Sequence, residues 1–413
     1  MKIRRKYLFY VLAFSSTIIA ASVSAIDATI SALYIRNPWA FGLSCFLVGI
    51  PVTLLFALIF SVPVKGKSFG SITIDPSFKR LRLVKKEEFK YHLLAGFGNA
   101  TLTLGYFSLL YLLGDPSVVL PFSQIVILYL LIVESITEKN IPTLTEVQSS
   151  LIVTFGAILG SISLTGTINI ESLAIVFLII NPAWVFFSVY QRKLKLMKID
   201  NRRNDSINIR LWNVIFSCVF VILIVGISDL FMGTNHFFSG IHAALNHFSW
   251  VALTMSVTFF SYVFYIRALG FGKASITQAV RASIIIFTIP FSLFLSYHNI
   301  IPPFSADPVM IVIKTIGITL MLLGIISFAL TLVKAYIFIT IKPGYSLEDT
   351  MKKLWAISGV TRITATAGPN DFIIKIRTRT LLKGYERILR RIEEIEAIKD
   401  YTWQSVLKEW EKI

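Results

Sequence analysis

Long apolar stretches recur along the chain and constrain its fold more than any other feature. A helix needs about 20 consecutive apolar residues to cross the hydrocarbon core of a bilayer. Ten windows of suitable length are 7–26, 40–62, 92–113, 117–135, 149–165, 172–190, 211–231, 249–269, 276–297 and 311–333. Of the 413 residues, 55% are hydrophobic and only 15% are charged. The sequence therefore predicts an all-α polytopic membrane protein with ten transmembrane helices.

The basic residues are distributed unevenly between the loops. A formal net charge of +17 could indicate a nucleic-acid partner. However, Lys and Arg precede the first span and fill segments 65–90 and 192–210, whereas the intervening loops are nearly free of them apart from Arg36 and Lys314. By the positive-inside rule, this alternation predicts a multi-pass protein of the cell membrane with both termini cytoplasmic. Nucleic acid is not a predicted partner, whereas membrane lipid is.

The first span also has the features of a secretory signal peptide. A basic segment and an apolar core precede a small-x-small site that ends at Ala25. Cleavage there would leave nine spans and place the basic loops on the wrong side of the membrane, so a retained first span is favoured. The only two cysteines, Cys45 and Cys218, fall inside spans, which is typical of small buried apolar residues.

Two segments in the two halves of the chain are similar in layout. GYFSLLYLLGDPSVVLPFSQ from Gly105 and SYVFYIRALGFGKASITQAVR from Ser261 each combine an aromatic-rich helix end, Leu-Gly, a short polar turn and a new helix. Five predicted spans lie between equivalent positions of the two segments. Because an odd number of membrane crossings separates them, the second segment has the opposite orientation in the membrane. Inverted-repeat transporters are built in this way. We predict a 5+5 inverted repeat with boundaries at 1–166 and 167–334.

These segments also resemble a known family of transporters. The run from LLYLLGDPSVV to GAILGS resembles the third to fifth helices of an EamA-type unit of the drug/metabolite transporter superfamily, and YIRALGFGKASITQAVRASIIIF resembles its second copy. The resemblance covers about residues 7–333 and rests on the order of diffuse features. The second copy has LFLSYHNIIPPF where a Glu-containing turn would be expected. The resemblance implies a ten-helix carrier of small metabolites.

Polar side chains recur at helical spacing inside several spans. In hydrocarbon such groups need a partner or a water-filled cavity. The predicted substrate-binding set is Asn99, Thr103, Tyr106, Gln124, Asn181, Trp184, Tyr262, Gln278 and Arg281. Pro182 has no N–H to donate to the Leu178 carbonyl, which predicts a broken helix there. The alternative interpretation is that small polar residues mark helix contacts.

Three ionisable residues of the spans have two interpretations each. The Arg281 guanidinium could clamp a carboxylate or phosphate through two parallel hydrogen bonds, or it could reach back to the headgroups beside Lys273 and Arg267. Asp27 and Glu134 are the acidic residues most clearly tied to spans and are the candidates for a proton-coupled step. Both lie near span ends, where simple solvation is the alternative.

After Lys334 the composition changes to that of a soluble domain, residues 335–413. AYIFITIK predicts a strand, and Ser346 can cap a helix over residues 347–357. TRITATA and FIIKIRT predict a hairpin around the turn GPND, a helix follows over 381–395, and YTWQSVL predicts the last strand. This βαββαβ order predicts an α+β domain of the ferredoxin-like arrangement.

The same segment resembles the effector-binding RAM domain of Lrp/AsnC regulators. Shared features are Pro-Gly after the first strand, Gly-Val before the second and Gly-x-x-Asp between the second and third. The resemblance implies amino-acid binding between paired subunits, hence a homodimer formed through this domain, with Gly368, Asn370 and Asp371 as effector-site candidates. Family members usually have Gly-Val before the last strand, where this chain has Ala397-Ile398-Lys399. A membrane span replaces the helix-turn-helix, so DNA binding is not expected.

Together these features predict a secondary transporter of a small metabolite, an amino acid or another carboxylate, which works by alternating access and is modulated by its cytoplasmic domain. The alternative is a non-transporting membrane sensor or scaffold. The sequence has no Gly-rich phosphate loop, nucleophile elbow or HExxH run. We therefore expect no enzymatic activity, no cofactor and no metal site.

Overall fold

The computed structural model describes residues 5–114, 119, 124–138, 144–161, 174–199, 202–301, 308–330, 332–357, 359–379 and 384–405. The chain forms two compact units. The first comprises Met1–Asn140 and Ser150–Leu322, and the second comprises Ile141–Ser149 and Leu323–Ile413.

Helices dominate the part of the chain that precedes the C-terminal sheet. They are α1 (Arg5–Leu33), α2 (Pro38–Ser61), α3 (Phe69–Thr73), α4 (Lys86–Leu113), α5 (Val126–Glu138), α6 (Leu144–Ser161), α7 (Asn181–Leu196), α8 (Ser206–Met232), α9 (His236–Asn246), α10 (Phe248–Leu269), α11 (Ala274–Arg281), α12 (Ile284–Tyr297) and α13 (Pro308–Leu330). Two short hairpins pair β1 (Pro63–Val64) with β2 (Lys67–Ser68) and β3 (Lys198–Ile199) with β4 (Arg202–Arg203).

Seven helical segments in the described part of the chain are long and apolar enough to cross a membrane. They are Tyr7–Leu33, Pro38–Ser61, Lys86–Leu113, Ile175–Leu196, Ser206–Met232, Phe248–Leu269 and Ala274–Tyr297. Each coincides with one of the ten predicted spans. The remaining three predicted spans, 117–135, 149–165 and 311–333, lie partly outside the described residues. The helical part is thus compatible with a multi-pass membrane protein.

Polar caps and glycines set the ends of several long helices. Asn37 caps α2, because its Oδ1 accepts hydrogen bonds from the backbone N–H groups of Trp39 and Ala40 at 3.0 and 3.1 Å. Asp205 caps α8 in the same way by accepting from the Asn208 N–H at 2.7 Å. Gly114 ends α4 with a φ of 68°, a left-handed conformation that glycine adopts without a Cβ clash.

A π-helical segment, Ile175–Ile180, runs directly into α7 just before Pro182. The predicted break at Pro182 is therefore absent, and Ile175–Leu196 forms one continuous span. Proline removes one donor from a helix, and a π-turn shifts the hydrogen-bond register by one residue. The change of register at this point lets the chain stay helical on both sides of the proline.

Helix α4 lies in close backbone contact with two neighbours. A Cβ atom built on Gly98 would be 2.7 Å from the Ala183 carbonyl oxygen and 2.7 Å from the Phe187 nitrogen of α7. A Cβ atom on Gly96 would be 2.6 Å from the Phe216 Cβ of α8. No side chain larger than hydrogen fits at either position unless the helices move apart. Small residues at helix contacts in membranes permit this close approach.

A four-stranded antiparallel sheet forms the C-terminal part of the second unit. Its elements are β5 (Leu332–Ile341), α14 (Leu347–Trp355), β6 (Val360–Ala365), β7 (Phe372–Arg379), α15 (Gly384–Glu393) and β8 (Ile398–Ser405). The strand order across the sheet is β6-β7-β5-β8. The predicted strands and helices are all present, with shifted ends. Residues 381–383 of the last predicted helix and 406–407 of the last predicted strand lie outside the described residues.

Alternation along the strands directs one face of this sheet into a core. Ala335, Ile337 and Ile339 of β5 are fully buried, and so are Phe372 and Ile374 of β7. Leu354 of α14 and Ile388 and Ile392 of α15 pack in the same cluster. Successive side chains of a strand point to opposite faces, so the helices cover one face only. The Ser346 hydroxyl caps α14, as predicted, by accepting from the Asp349 N–H at 3.3 Å.

Candidate functional site

A cavity of about 130 Å³ lies among the helices of the first unit. Side chains from α1, α2, α4, α7, α8, α10, α11 and α12 line it, together with the end of the π-helical segment. About half of the lining residues have polar or charged side chains, and the others are apolar. In sites that bind small molecules, apolar walls enclose the ligand and polar groups fix its orientation.

Two arginines contribute buried guanidinium groups to the cavity. Arg281 and Arg210 are 5% and 2% exposed, and both line the cavity. The guanidinium carbon of Arg281 lies 4.5 Å from the centroid of the Tyr265 ring and 5.7 Å from that of Trp184. That of Arg210 lies 4.3 Å from the centroid of Tyr262. These distances are within the range of cation–π attraction.

Neither guanidinium has a carboxylate partner among the described residues. The Nε and Nη1 atoms of both Arg210 and Arg281 are buried without a hydrogen-bond acceptor. Burying an uncompensated charge costs several kcal/mol. A guanidinium presents a planar fork of donors that matches an anionic carboxylate or phosphate. The arrangement is thus suited to receive an anionic group from a ligand.

Asp27 is the acidic residue of the cavity. It lies inside α1, which extends to Leu33 and therefore continues beyond the predicted window that ended at residue 26. The carboxylate is 5% exposed, and its Oδ1 accepts a hydrogen bond of 2.6 Å from the hydroxyl of Thr254 on α10. Cys45 and Tyr106 line the cavity with it.

Six of the nine predicted substrate-binding residues line this cavity. They are Asn99, Thr103, Tyr106, Trp184, Tyr262 and Arg281. The amide of Asn99 also donates to Asn213 Oδ1 at 3.1 Å and to the Ser217 hydroxyl at 2.9 Å, both on α8. Asn99 therefore joins two helices in addition to lining the cavity.

The other three predicted residues lie elsewhere in the first unit. The amide of Gln278 donates to the Oε1 of Gln124 at 3.1 Å, and neither residue lines the cavity. Asn181 follows the π-helical segment and is fully buried, and both of its amide atoms lack a hydrogen-bond partner. The sequence pattern predicts that these side chains are buried, but it does not predict whether they line the cavity or pack between helices.

Glu134, the second coupling candidate, has surroundings unlike those of Asp27. Its carboxylate accepts hydrogen bonds from the Ala274 N–H at 2.6 Å and the Ser275 hydroxyl at 2.5 Å, at the first turn of α11. The Arg192 Nη1 lies 3.6 Å from its Oε1. A carboxylate at a helix N-terminus pairs with free N–H groups and with the positive end of the helix dipole. Glu134 thus joins α5 to α11, outside the cavity lining.

Arg210 is the charged cavity residue that sequence reasoning missed. It was counted among the loop charges of segment 192–210, but Arg192 belongs to α7 and Arg210 lies within α8. A signal was present in the sequence. Arg210, Asn213 and Ser217 follow a spacing of three and four residues, which places all three on one helix face.

A second polar cluster joins α4, α7 and the loops next to them. Lys195 Nζ lies 2.5 Å from Asp75 Oδ2 and donates to the Asn204 carbonyl oxygen at 2.7 Å. Arg82 binds Glu88 through two nitrogens at 2.6 and 2.7 Å, and the Asn204 amide donates to the same carboxylate. In this cluster, Asp75–Lys195–Asn204–Glu88–Arg82, every charged side chain has a partner of opposite charge.

Burial alone would raise the pKa of Asp75. The charge of Lys195 and hydrogen bonds from Lys195, Ser206 and the Ser77 N–H outweigh that effect and hold the pKa of this carboxyl below its usual range. Asp75 is therefore ionised throughout the physiological pH range, and the ion pair with Lys195 is permanent there.

The predicted effector residues lie in the turn between β6 and β7. Asp371 Oδ2 accepts a hydrogen bond of 2.7 Å from the Ile341 N–H, and the Asp371 N–H donates to the Ile339 carbonyl at 2.8 Å. The Asn370 carbonyl accepts from the Thr366 hydroxyl. A Cβ atom on Gly368 would meet no atom within 4 Å. Asp371 thus joins the turn to the end of β5, whereas Gly368 borders open space.

The C-terminal part matches a known family. Residues 334–412 match the family model of the Lrp/AsnC ligand binding domain, which confirms the predicted resemblance of this segment. No EamA-type family model matches the helical region, and no curated protein matches the chain. A solved structure described only as "Crystal structure of protein" aligns with 76% of this chain and 97% of its own, with a TM-score of 0.46 and 14% identity.

Proposed function

We propose that the chain is a secondary transporter that moves a small metabolite, an amino acid or another carboxylate, across the cell membrane by alternating access. In this proposal the Lrp/AsnC-type domain senses an amino acid and modulates transport. The apolar helices and the ligand-binding family of the C-terminal domain are compatible with a membrane protein that binds a small molecule. Movement of that molecule across the membrane, with no chemical change to it, is the proposed step.

The observation that carries the proposal is the pair of buried guanidinium groups in the cavity. Among the described residues, neither Arg210 nor Arg281 has a carboxylate partner, and the Nε and Nη1 atoms of each are buried without an acceptor, so the charge of each guanidinium is left uncompensated there. Replacing hydration by a charge-assisted, two-pronged hydrogen bond to a carboxylate would compensate it. An anionic solute is therefore the ligand that gains most from entering this site.

One feature of the cavity favours a carrier over a static receptor. The cavity is lined by helices from both predicted repeats, for example by α1 and α4 from the first and by α10 and α11 from the second. In transporters with inverted repeats, the substrate site lies at the interface of the repeats. The EamA resemblance, the ten spans and the cytoplasmic termini remain parts of this proposal, and so does the absence of enzymatic chemistry.

The fold of the C-terminal sheet supports the sensing part of the proposal. Its elements follow the order βαββαβ, and its strands lie in the order β6-β7-β5-β8. We assign this arrangement to the ferredoxin-like class, as expected for the RAM domain. In that domain, amino acids bind where two copies pair, so a homodimer through this domain is proposed as well.

Solute uptake by purified protein in liposomes tests the transport proposal. We expect uptake of at least one amino acid or organic acid from a broad panel, and loss of most of it in Asn99→Leu, Trp184→Ala and Arg281→Leu. Arg202→Leu is the matched control, because Arg202 is an exposed arginine that does not line the cavity. Uptake that survives in all three cavity variants would place the substrate site elsewhere, and no uptake across the panel would contradict transport.

The family match favours one alternative, a membrane sensor that transports nothing. In that case the C-terminal domain would bind its effector while the helices only anchor it. Thermal unfolding of the full chain with each of the twenty amino acids separates the two functions, because a ligand that binds the native state raises its stability. A shift with an amino acid, combined with no flux of any solute, would support the sensor.

A further inference from the structure

Three residues that line the cavity carry a formal charge. They are Arg210, Arg281 and Asp27. All three are at least 95% buried, and no ion pair among the described residues joins Asp27 to either arginine. In a water-poor site the charges of a ligand are recognised by opposite charges placed to meet them. The complementary ligand therefore carries two negative groups and one positive group.

The two guanidinium groups form separate binding points for anionic groups. Arg210 stacks on Tyr262 and Arg281 stacks on Tyr265, and the centroids of these two tyrosine rings are 6.5 Å apart. Each guanidinium keeps two buried nitrogens, Nε and Nη1, without an acceptor. Since each fork can engage one carboxylate through two hydrogen bonds, the pair matches two carboxylates better than one.

The carboxylate of Asp27 provides a binding point for a positively charged group of the ligand. Among the described residues its carboxylate accepts one hydrogen bond, from Thr254 to Oδ1. A carboxylate has about four lone-pair positions for donors, so most of its acceptor capacity is unused. A primary ammonium has three donors and one charge, which suits a buried carboxylate that already has one neutral partner.

The size of the cavity limits the ligand. A single water requires at least about 10–15 Å³ of cavity volume, so a cavity of about 130 Å³ has room for a small organic molecule. Glutamate and aspartate, with ten and nine non-hydrogen atoms, are molecules of this kind.

We propose that the ligand of this cavity is an acidic amino acid, with its two carboxylates bound by Arg210 and Arg281 and its ammonium bound by Asp27. The inference rests on the proposed function and narrows its substrate class. A neutral amino acid would leave one guanidinium without an anion. A dicarboxylate that lacks the amine would leave Asp27 without a cation, and a basic amino acid would add a third positive charge.

Competition for uptake into liposomes tests this assignment with the full chain. L-glutamate and L-aspartate are compared with L-glutamine, which lacks one carboxylate, and with glutarate, which lacks the amine. We expect L-glutamate or L-aspartate to be preferred at least about tenfold over both analogues, since one charged pair is at stake in each comparison. Equal or stronger competition by glutamine would overturn the proposal.

Two variants assign the charges separately. Arg210→Gln should abolish the preference for glutamate over glutamine but retain the preference for glutamate over glutarate. Asp27→Asn should abolish the preference for glutamate over glutarate but retain the preference for glutamate over glutamine. Arg210→Lys keeps the charge and should keep part of the preference, which guards against misfolding of the Gln variant, and Arg202→Gln serves as the exposed control. A preference for glutamate over glutamine that is unchanged in Arg210→Gln would refute the role of Arg210.

The C-terminal domain is itself a candidate amino-acid binder, so equilibrium binding to the whole chain would mix two sites. Uptake reports on the cavity, and the cavity variants leave the C-terminal domain unaltered. Uptake of a neutral amino acid without preference for glutamate would contradict this inference and leave the proposed transport intact. If the wild-type chain binds glutamate at a site that is lost in Arg210→Gln and Asp27→Asn, and yet no solute is taken up, the inference stands and the transport proposal fails.

Discussion

The amide of Gln278 donates a hydrogen bond of 3.1 Å to the side-chain oxygen of Gln124, across 154 residues of sequence. Both side chains are buried. Each glutamine belongs to one of the two similar segments that predict an internal repeat, so the bond connects these two segments directly. Gln278 lies in α11, whose first turn also receives the carboxylate of Glu134. Two polar contacts thus hold α11 against residues of the first half of the chain.

The contributions of Gln124 and Gln278 to the free energy of unfolding should depend on each other. We expect Gln124→Leu and Gln278→Leu each to lower the free energy of unfolding. A double-mutant cycle should give a coupling of about 0.5–1.5 kcal/mol, the range found for hydrogen bonds between helices in membranes. Denaturant titration in mixed micelles measures it. The exposed pair Lys352 and Glu348 of α14, which are 69% and 76% exposed, provides a control cycle for which we expect a coupling close to zero. A Gln pair with the coupling of that control would contradict the prediction.

Asp27 and Glu134 should differ in their effect on coupling to a proton gradient. Asp27 lines the cavity with a single hydroxyl partner, whereas Glu134 is held by backbone and side-chain donors of α11 and by Arg192. We expect Asp27→Asn to lose the stimulation of uptake by an imposed pH gradient and to retain exchange of solute across the membrane. Glu134→Gln should lower the unfolding temperature but retain the ratio of uptake with and without the gradient. The opposite pattern would assign the coupling role to Glu134.

The Asp75–Lys195 pair should make stability depend on pH in the acidic range. The pKa of Asp75 is lowered in the folded state, so its stabilising effect is fully present above the unfolded value of about 3.9 and is lost as pH falls through the lower folded value. We expect Asp75→Asn to lower the free energy of unfolding by about 3 kcal/mol or more at pH 7, because Lys195 is left buried without its partner. The difference should shrink as the pH is lowered below about 4.

The effect of the unpaired Lys195 charge in Asp75→Asn can be tested separately. Lys195→Met in the Asp75→Asn background removes the unpaired charge and should restore much of the lost stability, since apolar replacements of buried ion pairs are often tolerated. Thermal unfolding followed by tryptophan fluorescence at pH 7 and pH 3.5 measures both effects. A double variant less stable than Asp75→Asn alone would show that Lys195 acts mainly through the Asn204 carbonyl.

Two substitutions at Asp371 should distinguish its structural role from a role in effector binding by the C-terminal domain. Asp371→Ala removes the acceptor of the Ile341 N–H and should cost about 1–2 kcal/mol in the unfolding of this domain. Asp371→Asn keeps an acceptor oxygen but loses the charge. We expect it to unfold near the wild-type temperature and to lose the stabilisation of the full chain by an amino-acid effector. An unchanged response in Asp371→Asn would limit this residue to its structural role.

The coarse architecture could be predicted because it depends on local patterns. Apolar windows located the long helices, and alternation located the strands of the C-terminal sheet. The helical spacing of polar residues also identified Asn99, Thr103 and Tyr106 on one face of α4, where Thr103 and Tyr106 now line the cavity beside Asn99.

The details of the site depend on contacts between distant residues, which a single sequence does not reveal. Thr254 binds Asp27 across 227 residues. The sequence does not predict Arg210 as a cavity residue because it follows a run of basic loop residues, and the apolar pattern alone does not place the start of α8 at its cap, Asp205. Gln124 and Gln278 have the burial expected of cavity residues, but they form a hydrogen bond with each other and do not line the cavity.

The glycine contacts of α4 have a consequence for the way such a protein could move. With Gly98 against the backbone of α7 and Gly96 against α8, these three helices meet at backbone distance at these points, so one can rotate past another only if the pair separates. They are therefore suited to be the stationary frame of the molecule. In the proposed alternating-access cycle, we expect the cavity to open through movements of α1, α10, α11 and α12. Of these, α1 carries Asp27 and α11 carries Arg281, whereas Arg210 lies on α8.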